Sequence, residues 1–295
     1  MTLRSIYDVP APAKLNLFLH VVGRRADGYH LLQSPFVLID WCDTLHFQRR
    51  SDGRLARHDL GAELPADDLC LRAARLLQRQ SGSSDGADIS IDKVLPAGAG
   101  MGGGSSDAAS TLLALNRLWR LNWPLARLLP LGLALGADVP FFLGGRNAFV
   151  EGVGERLTPL ELPGALFAVV KPAANIDTGA IFASPLLGRD TAPVIVEGFK
   201  IAASQQFDER ILCFGRNDLQ LAAQAACGEI GAVSRWLEAR FGNSRMTGSG
   251  SAVFALLDAP TGLGWQRDLP AEWVGRECAS LALHPLCGWA QDEEG

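Results

Sequence analysis

Five glycines and two serines crowd into the run Pro96–Ser106, PAGAGMGGGSS. A glycine backbone can approach a pyrophosphate with no Cβ in the way, and a helix opening behind it adds the partial positive charge of its free N–H groups. Ser105 and Ser106 bring hydroxyl donors to the same place. The whole run, Pro96, Ala97, Gly98, Ala99, Gly100, Met101, Gly102, Gly103, Gly104, Ser105 and Ser106, is therefore a candidate cradle for nucleotide phosphates. Two better-known phosphate loops do not fit. A Walker A loop ends in GK[ST], which is missing. Gly98-x-Gly100-x-x-Gly103 matches GxGxxG by letter, yet a Rossmann unit also wants an acidic residue about 20 positions on. Leu121-Asn122-Trp123 stand there and open a helix. The loop has no lysine, so positive charge and a base must come from elsewhere in the chain.

Lys14 and Asp138 are the available pair. Residues Ala13–Val21 alternate as a half-buried strand does, with Leu15, Leu17, Leu19 and Val21 on one face and Lys14, Asn16, Phe18 and His20 on the other. Asp138 lies in GADVPFFLGG, expected to be a loop or short turn. In-line phosphoryl transfer needs positioning and charge neutralisation more than covalent chemistry. A carboxylate can accept the hydroxyl proton as the new P–O bond forms, and a neighbouring ammonium favours its ionised form. Taken singly, Lys14 is as readily a snorkelling strand residue and Asp138 a helix-end cap. The Tyr29-His30 pair follows an Asp27-Gly28 turn signal. It offers a π-face and a hydrogen-bonding edge, as a pyrimidine would require, though such pairs are also common in plain turns.

The elements that must position these residues follow from period and punctuation. Phe36–Asp40, Thr44–Gln48 and Ala87–Val94 read as strands, and Asp67 or Asp68 caps a helix over Leu69–Gln80 with Leu69, Ala73, Leu76 and Leu77 buried. Ser105, Ser106 or Asp107 is expected to cap the helix after the glycines, and a further helix runs from Pro124 to Gly136. Ala148–Glu151 and Glu155–Thr158 form a hairpin, Ala165–Val170 a buried strand, and Asp218–Ala226 and Ile230–Phe241 helices. SRMTGSGSAVFALL reads as strand-turn-strand, and a last strand lies near Glu277–Leu283. Irregular mixing of strands and helices points to the α+β class. A length of 295 residues suggests two domains meeting near residue 155. The net charge of −5, with no basic block, argues against a nucleic-acid surface, and no apolar run reaches a membrane span. Six scattered cysteines form no CxxC and no zinc spacing, as expected of reduced thiols in a cytoplasmic protein. The acidic stretch Trp289–Gly295 is expected to be a frayed tail.

Three segments, PAKLNLFLHVVGRRADGYHLLQS, LPAGAGMGGGSSDAA and SRMTGSGSAVF, resemble the signatures of the GHMP small-molecule kinases, named after galactokinase, homoserine kinase, mevalonate kinase and phosphomevalonate kinase. The resemblance is strong to residue 158 and thinner to Arg240. The first segment, with LGADVPFF, is similar to the branch that phosphorylates the 2-hydroxyl of a cytidyl-diphosphate polyol on the non-mevalonate route to isoprenoid precursors. The resemblance implies an α+β fold of two domains. Residues 1–155 would resemble domain 2 of ribosomal protein S5, residues 156–295 a ferredoxin-like α/β sandwich, and the active site would lie in the cleft between them.

On this resemblance Lys14 and Asp138 are the catalytic pair and Pro96–Ser106 binds the ATP phosphates. Tyr29 stacks on the cytosine, His30 hydrogen-bonds it, and Phe182 closes its other face. Asn16 and Thr178 contact substrate, and Thr247–Gly250 (TGSG) packs against the phosphate site. ATP is implied as co-substrate, with Mg2+ held mainly by phosphates, water and a loop serine; no protein ligand of the metal is assigned. The implied partners are small molecules, with neither nucleic acid nor membrane, and the assembly a monomer or weak homodimer. Asp68 departs from the pattern, since the family often has asparagine there, near the adenine side. The rivals are a mevalonate, homoserine or sugar kinase and a non-catalytic nucleotide-binding regulator.

Overall fold

A computed structural model describes residues 3–61, 63–205, 210–262 and 264–290. The elements run β1 (Ser5–Asn16), β2 (His20–Arg24), β3 (His30–Arg50), β4 (Leu55–Asp59), α1 (Leu69–Ser81), β5 (Gly86–Asp92), α2 (Gly103–Leu118), α3 (Leu125–Leu135) and α4 (Val139–Gly144). There follow β6 (Ala148–Gly152), β7 (Arg156–Pro159), β8 (Leu166–Lys171), α5 (Thr178–Ala183), α6 (Val196–Gln205), α7 (Arg210–Cys213), α8 (Gln220–Ala226), α9 (Gly228–Phe241), β9 (Arg245–Met246), β10 (Val253–Leu257) and β11 (Val274–Leu281). Among the described residues no helix is long and apolar enough to cross a membrane.

All these strands share one sheet, whose main path is β4-β5-β3-β11-β8-β10-β9. Its spine is β3, which pairs with β1, β2, β5, β6 and β11 along its length. The sequence suggests two strands here because Asp40 and Asp43 interrupt the apolar run; the structure joins them across an irregularity. Pairing slips between Pro12 and Ala13, opposite Asp40 and Trp41. Such a slip changes which face a given parity serves. Phe36 and Leu38 thus share one core with Leu45 and Phe47, against α1, α2, α3 and α4. The strand expected over Ala13–Val21 is divided: β1 ends at Asn16 and β2 starts at His20. Nor is it half-buried. Leu15 and Leu17 enter a core with Phe167 and Phe254, while Lys14, Asn16, Phe18 and His20 on the other face are buried too.

Asp68 caps α1 by accepting from Leu71 N at 3.0 Å, as expected. The helix after the glycines differs from expectation. Its N-cap is Gly102, left-handed at φ 71° with no side-chain cap bond, so Ser105, Ser106 and Asp107 fall inside the helix. The physical reason is that a left-handed glycine turns the chain into the helix three residues early, leaving no polar side chain at the cap position. A second core joins α5, α8 and α9 to β8 and β10. The residues after β11 return to the first core, where Leu286 is buried and Trp289 and Ala290 pack. The expected frayed tail beyond Ala290 lies outside the described residues.

Candidate active site

The glycine run is wedged between β1 and the Thr247–Gly250 turn. Lys14 N donates to Met101 O at 3.0 Å, while Ser251 N and Ala252 N each donate at 3.1 Å to Gly98 O and Ala99 O. Ala99 and Met101 point into the core, and Gly98, Gly100 and Gly102 adopt left-handed φ of 63°, 73° and 71°. At Gly100 a Cβ would sit 2.4 Å from Thr247 O, so the two segments touch backbone to backbone. At Gly102 it would meet the Phe142 ring at 3.0 Å and Lys14 Cε at 3.4 Å. Because Gly102 provides no side-chain cap, the first N–H groups of α2 are left for an anion.

Lys14 lies beside this helix start. Its ammonium donates to Asn16 Oδ1 at 2.6 Å, sits 4.5 Å from the Phe36 ring centroid, and stands 3.7 Å from Asp138 Oδ2, an ion pair rather than a direct hydrogen bond. The Lys14 side chain is 4% exposed and that of Asp138 31%. Asp138 occupies the N-cap position of α4 yet makes no capping bond, which disposes of its reading as a helix cap and leaves the carboxylate facing Lys14. Burial pulls the Lys14 ammonium below its ordinary pKa, against the opposing pull of Asp138. Asn16 is fixed from three directions: its amide donates to Ser34 Oγ at 2.8 Å, its N–H donates to Thr247 Oγ1 at 3.0 Å, and its Oδ1 accepts from Lys14.

A cavity of about 580 Å3 opens further along, lined by Tyr29, His30, Leu32, Val153, Gly179 and Phe182 among others. That is ample for a nucleobase and its sugar. Tyr29 and His30 sit at the turn between β2 and β3, where Gly28 takes φ 94° and Asp27 Oδ1 accepts from Tyr29 N at 3.2 Å. Tyr29 is 64% exposed, leaving its ring able to take a partner. His30 instead stacks directly on Phe182, ring centroids 5.0 Å apart, so the two form one wall of the cavity and nothing fits between them. Thr178 and Phe182 are one turn apart on α5, and Thr178 Oγ1 is 2.7 Å from Ser249 Oγ of the TGSG turn. A six-residue helix thereby spans from the phosphate side to the pyrimidine-sized side.

Residues 68–146 match the model of the GHMP kinases N terminal domain. Over 296 residues the chain is 62% identical to a 4-diphosphocytidyl-2-C-methyl-D-erythritol kinase of Methylibium petroleiphilum, covering 98% of this chain and 100% of that one. The chain belongs to the 4-diphosphocytidyl-2-C-methyl-D-erythritol kinase family. A Polaromonas protein of the same name is 56% identical over 297 residues, covering 97% of this chain and 95% of that protein. A crystal structure of a 4-(cytidine 5'-diphospho)-2C-methyl-D-erythritol kinase superposes with TM-score 0.79 at 35% identity, over 94% of this chain and 98% of that one. Homoserine kinase from Cytophaga hutchinsonii, at 17% identity and TM-score 0.68 over 95% of each chain, shares the GHMP kinase fold alone.

For this family member the structure adds residues that sequence reasoning passed over. Ser34 relays Asn16 to Phe18 O. Lys93 stands behind the glycine run, 3.2 Å from where a Gly103 Cβ would be, and pairs with both Asp43 and Asp107. Burial works against its charge, but the two carboxylates hold its pKa above the ordinary value. The loop is thus backed by a lysine whose charge is already matched, and Lys14 remains the cation facing Asp138. Arg189 reaches His30 from the segment after α5. Only the family segments could have flagged Ser34, and nothing periodic marks Lys93 or Arg189. Asp68, at the departure from the family pattern, is held by its capping bond and by Arg57 at 3.0 Å.

Proposed function

We propose that this chain transfers the γ-phosphoryl group of ATP to the 2-hydroxyl of 4-diphosphocytidyl-2-C-methyl-D-erythritol, with Lys14 and Asp138 as its catalytic pair. The observation that carries the reading is the uncapped start of α2 beside a buried lysine and an aspartate that caps nothing. The substrate oxygen attacks the γ-phosphorus in line, the bond to the β–γ bridging oxygen breaks, and the hydroxyl proton passes to Asp138 as the new bond forms. Lys14 orients Asp138 through their ion pair and offers its ammonium to charge building on the transferred group. Pro96–Ser106 and the first turn of α2 hold the ATP phosphates. Asn16 and Thr178 orient the polyol, while Tyr29, His30 and Phe182 receive the cytosine.

Mg2+ fits this arrangement at one place. Ser106 Oγ is buried beside the helix start with no hydrogen-bond partner among the described residues, a donor suited to the ion or its water. Bound there with the phosphates, the ion would neutralise charge on the β- and γ-oxygens. Asp43 is engaged by Lys93 and by the N–H groups of Val94 and Leu95, while Asp107 pairs with Lys93 through Oδ2 and leaves Oδ1 without a partner among the described residues. We read residues 1–155 as the ATP-binding part and 156–295 as the part that completes the substrate site, the enzyme working as a monomer or weak homodimer. A turnover panel of the cytidyl substrate, mevalonate and homoserine tests the reading. Phosphorylation of the cytidyl compound is expected; activity on mevalonate or homoserine alone would overturn it.

A further inference from the structure

The base-sized cavity has two aromatic walls, and the guanidinium of Arg189 stands behind one of them. The Arg189 guanidinium donates from Nε to His30 Nε2 at 3.1 Å, from Nη1 to Leu187 O at 3.0 Å, and from Nη2 to Phe182 O at 3.0 Å and Ser184 O at 3.1 Å. The three carbonyls belong to α5 and the turn that ends it, while His30 begins β3. One planar group therefore ties the hairpin carrying Tyr29 and His30 to the helix carrying Thr178 and Phe182. The next residues anchor the clasp: Thr191 N donates to Val21 O at 3.1 Å, and Thr191 Oγ1 to Asp218 Oδ2 at 2.6 Å.

An arginine has donors only and does not give up its proton. A histidine nitrogen that accepts from it carries no hydrogen, so the imidazole must be neutral with its proton on Nδ1. We propose that Arg189 is a positioning and specificity-determining residue, which fixes His30 in the Nδ1–H tautomer and so sets the cavity to recognise cytosine through an acceptor on the base's edge. Burial and the charges of Arg189 and Arg24 together hold His30 below its ordinary pKa, which keeps the ring neutral as this requires. Cytosine presents a bare N3, whereas uracil carries a proton at N3 and would set donor against donor. A site built around such a bond rejects an analogue that cannot make it far more strongly than a merely apolar pocket does. Stacking by Phe182 on His30 holds the plane of the ring, and Arg189 holds its rotation and protonation.

This inference rests on the cytidyl reading for its substrate and on geometry alone for its tautomer, so two experiments separate them. In the wild-type protein labelled with 15N-histidine, His30 is expected to show an unprotonated Nε2 and a protonated Nδ1 at neutral pH. An Nε2–H tautomer would overturn the proposal whatever the enzyme's substrate. In Arg189→Ala, KM for the cytidyl substrate should rise about ten- to a hundredfold while kcat and KM for ATP stay within about threefold. Preference for the cytidyl over the uridyl substrate should shrink with it. Arg189→Lys, which can donate to His30 but cannot span the carbonyls, should recover part of the discrimination. Equal losses toward both substrates, or a rise in KM for ATP, would reduce Arg189 to a prop of the fold and end the proposal. Failure of the wild type to use the cytidyl compound would sink the functional reading, and the tautomer measurement would still decide the clasp.

Discussion

The glycine run and the cavity beside Tyr29 are built on opposite principles. At the glycine run, the proposed phosphate end, the groups on offer are main-chain amides held by main-chain contacts, such as Gly98 O with Ser251 N and Ala99 O with Ala252 N. Little there can move, because a Cβ at Gly100 would already overlap a carbonyl. At the proposed base end the groups on offer are side chains on a hairpin tip and a short helix, one of them largely exposed, joined through one guanidinium. A triphosphate has one shape whatever hydroxyl receives its phosphoryl group, so a cradle for it can be rigid and generic. The acceptor differs between kinases, and its recognition sits on parts that can be exchanged without touching the scaffold.

That contrast can be broken in order of expected effect. Asp138→Asn should lower kcat by about a hundred- to ten-thousandfold with ATP affinity unchanged, read by steady-state kinetics and nucleotide titration. Retained turnover would remove Asp138 from the mechanism. Gly100→Ala forces a left-handed residue into a backbone contact and should destabilise the fold by about 3 kcal/mol in urea unfolding, with ATP affinity lost alongside. Tyr29→Ala should do the reverse, leaving the melting curve unmoved while KM for the cytidyl substrate rises about tenfold, the worth of a lost base stack. Acidity offers the finest test. If Lys14 acts as a cation, then, because burial lowers its pKa, kcat/KM should fall as pH rises, with the limb below the ordinary 10.5. If His30 binds the base as the neutral ring, its lowered pKa, set chiefly by burial, means KM should stay flat as pH drops through 6.5 and rise only further down. An acid limb at or above 6.5 would contradict this.

Much of the geometry of the glycine run was legible because glycine spacing reports backbone conformation directly, and the alternation of Ala13–Val21 placed Lys14 beside Asn16 correctly. What the alternation misjudged was burial: a half-polar strand lies buried on both faces because Lys14, Asn16 and Ser34 satisfy one another. The start of α2 was misplaced because serine and aspartate are the usual caps and a left-handed glycine is not. The base end was only partly readable. Tyr29, His30 and Phe182 came from resemblance; Arg189 had no motif, since the carbonyls and the ring it contacts are brought together only by the fold. Helices α5 and α6 are short and weakly patterned, and period alone did not reveal them.

One consequence follows from β11. It pairs with β8 through Val274–Ala279 and with β3 through Ser280 and Leu281, and Ala279 N reaches Asp40 Oδ1, a residue 239 positions earlier. During synthesis β3 can gather β1, β2, β5 and β6 soon after they emerge. The strand that finishes its remaining edge, and Leu286 of the first core, arrive far later. A nascent chain halted before residue 274 would display an open sheet edge and an incompletely filled core, a natural target for chaperones and proteases. Ribosome-stalled chains of graded length should therefore gain protease resistance in a late step, when this final stitch is released from the exit tunnel.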